Sequence, residues 1–160
     1  MKPRAKLKTT KDNTRQLYQA LTRIARSKVY VGIPVENNPR DDGEDIGNAA
    51  LLFIHSHGSP ARHIPKRAVI EPAVEANREL ISKPLGDGAK ALLDGDPAKA
   101  RAALEAAGQL AENAAKRWFF DSRNNWKDNA QSTIDRKGSA QPLIADGEMR
   151  GAITYFIDEG

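Results

Sequence analysis

A chain of 160 residues suits one domain and can bury roughly two thirds of the surface its unfolded form exposes, so a core is feasible without staples. It has no cysteine, which excludes disulfides and thiolate metal sites, and its longest apolar run, residues 49–54, is far too short to cross a bilayer. The net charge of +4 conceals a gradient: residues 1–30 hold nine Lys or Arg against Asp12 alone, and residues 31–60 hold Arg40 against Glu36, Asp41, Asp42, Glu44 and Asp45.

Residues 1–12 are expected to form a flexible basic arm with no apolar segment behind it to serve as a signal peptide, which predicts a soluble protein with no membrane partner. In it, Lys2, Arg4, Lys6 and Lys8 could neutralise phosphates, each adding a salt-sensitive increment of affinity, or could form a solvated tail. An acidic stretch on a neighbouring subunit is a further destination for them. Residues 13–160 then read as a single α+β domain dominated by helices.

"NTRQLYQALTRIARS" places Leu17, Leu21 and Ile24 at helical spacing, with Asn13 or Thr14 available as a cap. "KVYVGIPV" switches to period two, with Val29, Val31 and Ile33 on one face, and reads as a half-buried strand stopped by Pro34. Residues 36–45, "ENNPRDDGED", hold five acids and almost nothing to bury, which predicts an exposed, mobile loop. A helix is expected over residues 46–56, capped by Asp45 and ended by Gly58.

After a proline-punctuated crossing, "AVIEPAVEANRELIS" resumes helical spacing with Pro72 in its first turn, and "PLGDGAKALLDGD" supplies one short helical piece. Asp96-Pro97 starts the longest helix, over residues 97–120, whose alanine run should let another backbone approach closely. A short helix near residues 132–137, a helical turn near 147–150 and a final strand over 152–157 complete the chain. Chain ends usually fray, so a terminal strand must be paired. The expected partner is residues 28–35 of the same subunit, or a sheet extended across a subunit boundary.

Polar residues offer little catalytic chemistry. His55, His57 and His63 fall within nine residues, yet His55 and His57 at i, i+2 point to different sides of a helix and no H-E-x-x-H accompanies them, so the expectation is no metal site. There is no P-loop, no nucleophile elbow and no Cys to pair with a His. The acid pairs Asp94 with Asp96 and Asp41 with Asp42 sit in turn contexts, where Asp serves capping. Trp118, Phe119, Phe120 and Trp126, flanked by Lys116, Arg117, Arg123 and Lys127, read either as core packing at a helix end or as a base-stacking platform.

Two stretches carry a resemblance. "IHSHGSPARHIPKRAVIEPAVEAN" resembles the I-H-x-x-G … I-P-x-R-P-F segment of phage virion-morphogenesis proteins, the neck or tail-completion class of tailed bacteriophages, through Ile54, His55, Gly58, Ile64, Pro65 and Arg67. "NAQSTIDRKGSAQPLIADGEMRGAITYFID" resembles the closing signature of that class through Thr133, Ile134, Lys137, Gly138, Pro142, Leu143, Ile144, Gly147, Met149, Arg150, Ile153, Thr154 and Tyr155. The family's Pro-Phe after the arginine is Ala68-Val69 here, and its Asp-Thr before the glycine is Ala145-Asp146.

The resemblance implies a structural virion protein at the neck between head and tail, assembled in the host cytoplasm, with no catalysis, no cofactor and no metal. Its implied partners are copies of itself in a ring, connector-side and tail-side virion proteins, and the packaged DNA in the channel. The candidate interface comprises Lys2, Arg4, Lys6 and Lys8, the acids Asp41, Asp42, Glu44 and Asp45, and Arg67, Arg150, Thr154 and Phe156. The alternatives are a small nucleic-acid-binding module using the basic arm and the Trp118 to Trp126 cluster, and, more distantly, a metal-dependent hydrolase using the histidines.

Overall fold

The structure, a computed structural model, describes residues 13–39, 46–144 and 147–159. Within them the order is α1 (Thr14–Arg26), β1 (Lys28–Gly32), α2 (Asn48–His57), α3 (Ile70–Ala76), α4 (Arg78–Leu93), α5 (Pro97–Trp118), α6 (Gln131–Lys137), α7 (Glu148–Ala152) and β2 (Thr154–Asp158). This is a helix-dominated α+β domain whose antiparallel sheet includes the C-terminal strand.

The longest helix, α5, is the spine. Asp96 caps it, its side chain accepting from Lys99 N at 2.9 Å, and Pro97 occupies the first helical position, where a missing N–H costs nothing. One of its faces packs α4 and the other carries the sheet. Small side chains make both approaches close. Gly88 of α4 sits against Ala100 and Ala103, and Gly108 lies directly under the Tyr155 ring, leaving no space there for a Cβ.

β1 and β2 pair with Val29 opposite Ile157, Tyr30 opposite Phe156 and Val31 opposite Tyr155. Period-two alternation then turns Val31 inward, where it packs on buried Ile81, Ala107 and Ala111, and turns Tyr30 and Phe156 outward. The terminal strand is therefore ordered by its own subunit. It begins at Thr154 rather than at residue 152, because Ala152 is the last residue of α7 and Ile153, fully buried, links helix to strand. The main core gathers Leu52, Val69, Ala73, Ala115, Trp118, Phe119, Met149 and Ile153.

Three expectations need correction. The first concerns the break between α3 and α4, which falls at Asn77 and not at Pro84. Asn77 Nδ2 donates to Ala73 O at 2.8 Å while its backbone N–H turns to Val74 O, so the side chain takes the carbonyl that the next helical bond would have used. Pro84 lies inside α4, which continues because its Ile81, Gly88 and Ala91 positions are buried. Packing outweighs the proline penalty.

The second concerns residues 36–39, expected to be mobile, which are tied down. Val35–Asn37 form a 3-10 turn, Asn37 Nδ2 donates to Ala152 O at 3.2 Å, and the buried Asn48 donates to Asn37 O and Pro39 O. The rest of the expected loop, residues 40–45, lies outside the described residues. The third concerns the cap of α2. Gly47 is its N-cap residue, and Asn38 Oδ1 accepts from Ala49 N at 2.8 Å, so an asparagine across the turn does the work assigned to Asp45.

Candidate functional site

The first feature is a basic corner at the C-terminal end of α2. Gly58 ends that helix with φ of 75°, and a Cβ there would stand 2.9 Å from Lys66 N, so both the turn and the close approach require glycine. A short loop follows, closed by reciprocal Ser59 and Ile64 backbone bonds of 2.9 Å and containing the 3-10 turn Pro60–Arg62. The loop delivers Arg67 back under α2, where Arg67 N donates to His55 O at 2.7 Å.

Arg67 is 6% exposed, and its Nη2 donates to Lys127 O at 2.6 Å and Asp128 O at 3.3 Å. Burial lowers its pKa, against an opposing pull from Asp128. Beside it, His55 is held neutral: burial first, then the charges of Arg67 and Lys137, bring its pKa from 6.5 down to about 4. His55 Nδ1 and Arg67 Nε are both buried without hydrogen-bond partners. Above them opens a pocket of about 950 Å³ lined by, among others, Arg62, His63, Lys127, Asp128 and Arg136.

The second feature is the outer face of the sheet. Tyr30 and Phe156 stack at 4.8 Å between centroids and 13° between planes, and they stay 40% and 51% exposed. Such a stack strengthens the strand pair. It also leaves an aromatic surface facing solvent.

The candidate interface residues separate into different places. Arg67 turns inward as a clamp between the α2 loop and residues 127–128, with Nη2 committed to two carbonyl oxygens of the chain. Arg150 lies half-buried with its guanidinium over the Phe120 ring at 5.4 Å. The Thr154 hydroxyl donates to Glu112 Oε2 at 3.1 Å, and Glu112 also accepts from Lys116 at 2.8 Å. Burial alone would raise the Glu112 pKa, but the bonds from Lys116 and Thr154 outweigh it and the carboxyl is held below its ordinary value. Of these four, Phe156 alone presents a large exposed surface. Lys2, Arg4, Lys6, Lys8, Asp41, Asp42, Glu44 and Asp45 lie outside the described residues.

Most of the aromatic cluster packs inward, and of its four rings Phe120 alone is largely exposed, at 60% with Arg150 over its face. Trp118 is 5% exposed, Phe119 is fully buried and edge-on to Trp126, and Trp126 Nε1 donates to Ala68 O at 3.3 Å. Nor do the histidines converge in one role. His57 packs its ring at a 32° tilt against Phe53 and places Nδ1 2.9 Å from Phe53 O, while exposed His63 adopts a left-handed conformation that closes the 3-10 turn. Among the described residues no three His, Asp or Glu side chains are grouped as metal ligands.

Sequence reasoning missed Tyr30, although its place opposite Val29 and Val31 in the alternation was a usable signal. It also missed the pocket cations Arg62 and Arg136, which are scattered in sequence and carried no such signal, and it placed Lys127 beside the aromatic cluster rather than in the pocket. Comparison with family models, with curated proteins and with solved structures finds no match to the chain. No helix among the described residues is long and apolar enough to cross a membrane.

Proposed function

We propose that the protein is a structural component of the neck joining head and tail of a tailed bacteriophage, built from copies of itself in a ring around the DNA channel and carrying no catalytic site. Its neighbours would be connector-side and tail-side virion proteins, with the packaged DNA passing through the bore.

The observation that carries this reading is the meeting of the two stretches of resemblance, which are far apart in sequence. Arg67, from the first, grips the main chain at Lys127 and Asp128, just before the second begins. His55 of the first feels the charge of Lys137 of the second. Met149 and Ile153 of the second complete the core beside Val69 and Leu52. Residues that match a family pattern thus serve a shared structural corner, as expected of a scaffold whose product is shape.

The sheet adds support for assembly. It has two strands, each with an outer edge free of strand neighbours among the described residues, and it exposes the Tyr30 and Phe156 stack. Open edges and exposed aromatic surface are features that subunit contacts cover. Native mass spectrometry and negative-stain microscopy of the purified chain test the reading. Closed rings of one stoichiometry with an open bore are expected. A chain that stays monomeric at millimolar concentration in low salt overturns it.

A further inference from the structure

We infer that the cationic pocket at the C-terminal end of α2 receives the acidic segment, residues 41–45, of a second copy of the chain. This rests on the reading of the protein as a self-assembling ring component and supplies the contact between successive subunits.

The pocket has the size and the sign for such an occupant. Its volume of about 950 Å³ lies at the upper end of ordinary ligand pockets. Among the described residues, Arg62, Arg67, Lys127 and Arg136 line it with a single carboxylate, Asp128. A concave wall bearing one sign of charge focuses the field within it.

Arg67 gives the pocket a charged floor. It is more than nine-tenths buried, and among the described residues its side chain bonds two carbonyl oxygens and no carboxylate while its Nε has no partner. Asp128 attracts this charge without bonding it, and a buried guanidinium short of a hydrogen-bonded anion is costly, so an acidic side chain entering above it lowers that cost. His55 lies beside the same charges: burial is the main cause of its lowered pKa, and Arg67 and Lys137 push it down further.

The chain carries the matching anion. Asp41, Asp42, Glu44 and Asp45 fall within five residues, the densest acidic run in the sequence. Its place relative to the pocket matters as much as its charge. Residue 45 precedes Asn48 by three residues, a tether of at most about 10 Å. The pocket lies at the other end of the same helix, and ten residues of α2 span about 15 Å.

In sequence the acidic run precedes α2, and the pocket residues Arg62 and Arg67 follow it. A contact between two different patches of one subunit type is heterologous, head-to-tail, and closes into a ring when the rotation between copies permits.

The test uses the full-length chain, a synthetic peptide of residues 39–46, and inorganic phosphate as a competing anion. Binding is followed by calorimetry and by NMR titration of the His55 ring. The peptide should bind with salt-sensitive affinity and raise the His55 pKa, because a nearby anion favours the imidazolium. Lys127→Glu and Arg136→Glu reverse exposed pocket charges and should each weaken the peptide about tenfold or more, since like charges in contact repel. Circular dichroism melts confirm that these surface variants fold.

The same two substitutions together should abolish self-association in native mass spectrometry, as should Asp41→Lys with Asp42→Lys and Glu44→Lys. Combining both sets in one chain should restore it. If pocket variants assemble like the unmodified chain and the peptide does not bind, this inference falls while the ring stands. A monomeric chain that binds the peptide through Lys127 and Arg136 overturns occupancy by a second copy, and the ring with it. Tighter binding of inorganic phosphate than of peptide overturns the acidic occupant. If reversing the segment's charge frees the pocket of a strictly monomeric chain to bind peptide more tightly, the occupant is the chain's own segment and the contact between copies is refuted.

Discussion

Replacing Gly108 by alanine is expected to destabilise the protein even though it improves the helix. In a helix interior alanine is favoured over glycine by about 1 kcal/mol. At position 108 the new methyl group would overlap Tyr155 at Cγ, Cδ2 and Cε2. Overlap at Cγ reaches the root of the ring, so the ring cannot swing its tip aside, and the Tyr155 backbone is held by pairing with Val31. Either the sheet lifts from α5 or Tyr155 leaves its rotamer. Overpacking costs roughly 1–3 kcal/mol and occasionally more, and so deep an overlap belongs at the upper end. The net loss is about 2 kcal/mol, which in a chain of this size lowers Tm by roughly 4–8 °C. Gly86→Ala in α4 is the internal standard, because nothing lies within 4 Å of its added Cβ, and it should gain about 1 kcal/mol. Gly88→Ala falls between, its Cβ 3.0 Å from Ala103 Cβ and 3.3 Å from Ala100 O. Thermal and urea denaturation followed by circular dichroism rank the three, and adding Tyr155→Leu to Gly108→Ala should recover part of the loss. If Gly108→Ala melts at or above Gly86→Ala, Tyr155 does not sit on α5 at this position and the packing of the terminal strand is refuted.

Arg67→Met keeps the stem and removes the donors to Lys127 O and Asp128 O, and should cost about 2–4 kcal/mol by urea titration; a loss below about 0.5 kcal/mol would show that the clamp carries no weight. His55 has a folded pKa of about 4 against 6.5 when unfolded, so the unfolded chain binds the extra proton between them. Its contribution is complete above pH 6.5 and is lost as pH falls toward 4. Discounted for the partial solvent contact of the ring, it amounts to about 2 kcal/mol. The slope of stability between pH 6.5 and 4 should flatten in His55→Phe, and an unchanged slope counts against the buried neutral ring. Ending the chain after Ile153 removes half-buried Tyr155 and Ile157 with the whole strand ladder, a loss of roughly 2–3 kcal/mol from apolar burial alone. That truncation should lower Tm by several degrees or abolish cooperative unfolding, whereas removing residues 1–8 should not move it. Equal melting of the unmodified and C-terminally shortened chains would mark β2 as dispensable.

Elements announced by local chemistry were legible. The capping Asp96 with Pro97 fixed the start of α5, and period-two alternation in residues 28–33 and 152–157 gave both strands. The alanine run of α5 foretold close approach, and Gly88 and Tyr155 make it. The failures are places where a side chain competes with the backbone or tertiary packing outweighs propensity. Asn77 breaks a helix with its own amide, a polar act that hydrophobic periodicity does not register. Pro84 reads as a terminator until the burial of Gly88 and Ala91 against α5 is known. Asn48 fell inside the expected helix without a role of its own, yet it is 2% exposed and donates to Asn37 O and Pro39 O.

The basic corner was harder to read for a different reason. Arg62 lies on a turn after α2, Lys127 on an extended segment after α5, and Arg136 on α6, so no window of sequence contains the pocket. What joins them is Arg67, whose guanidinium holds residues 127–128 against the α2 loop. A charged residue taken alone suggests a contact with something outside the chain, and Arg67 was read that way. Burial reverses the inference: its bonds serve the fold, and the exposed cations that its clamp brings together are the ones left to meet a partner. The functional surface is thus a consequence of an internal anchor, which explains why removing Arg67 should cost stability while reversing Lys127 or Arg136 should cost association and leave the melt unchanged.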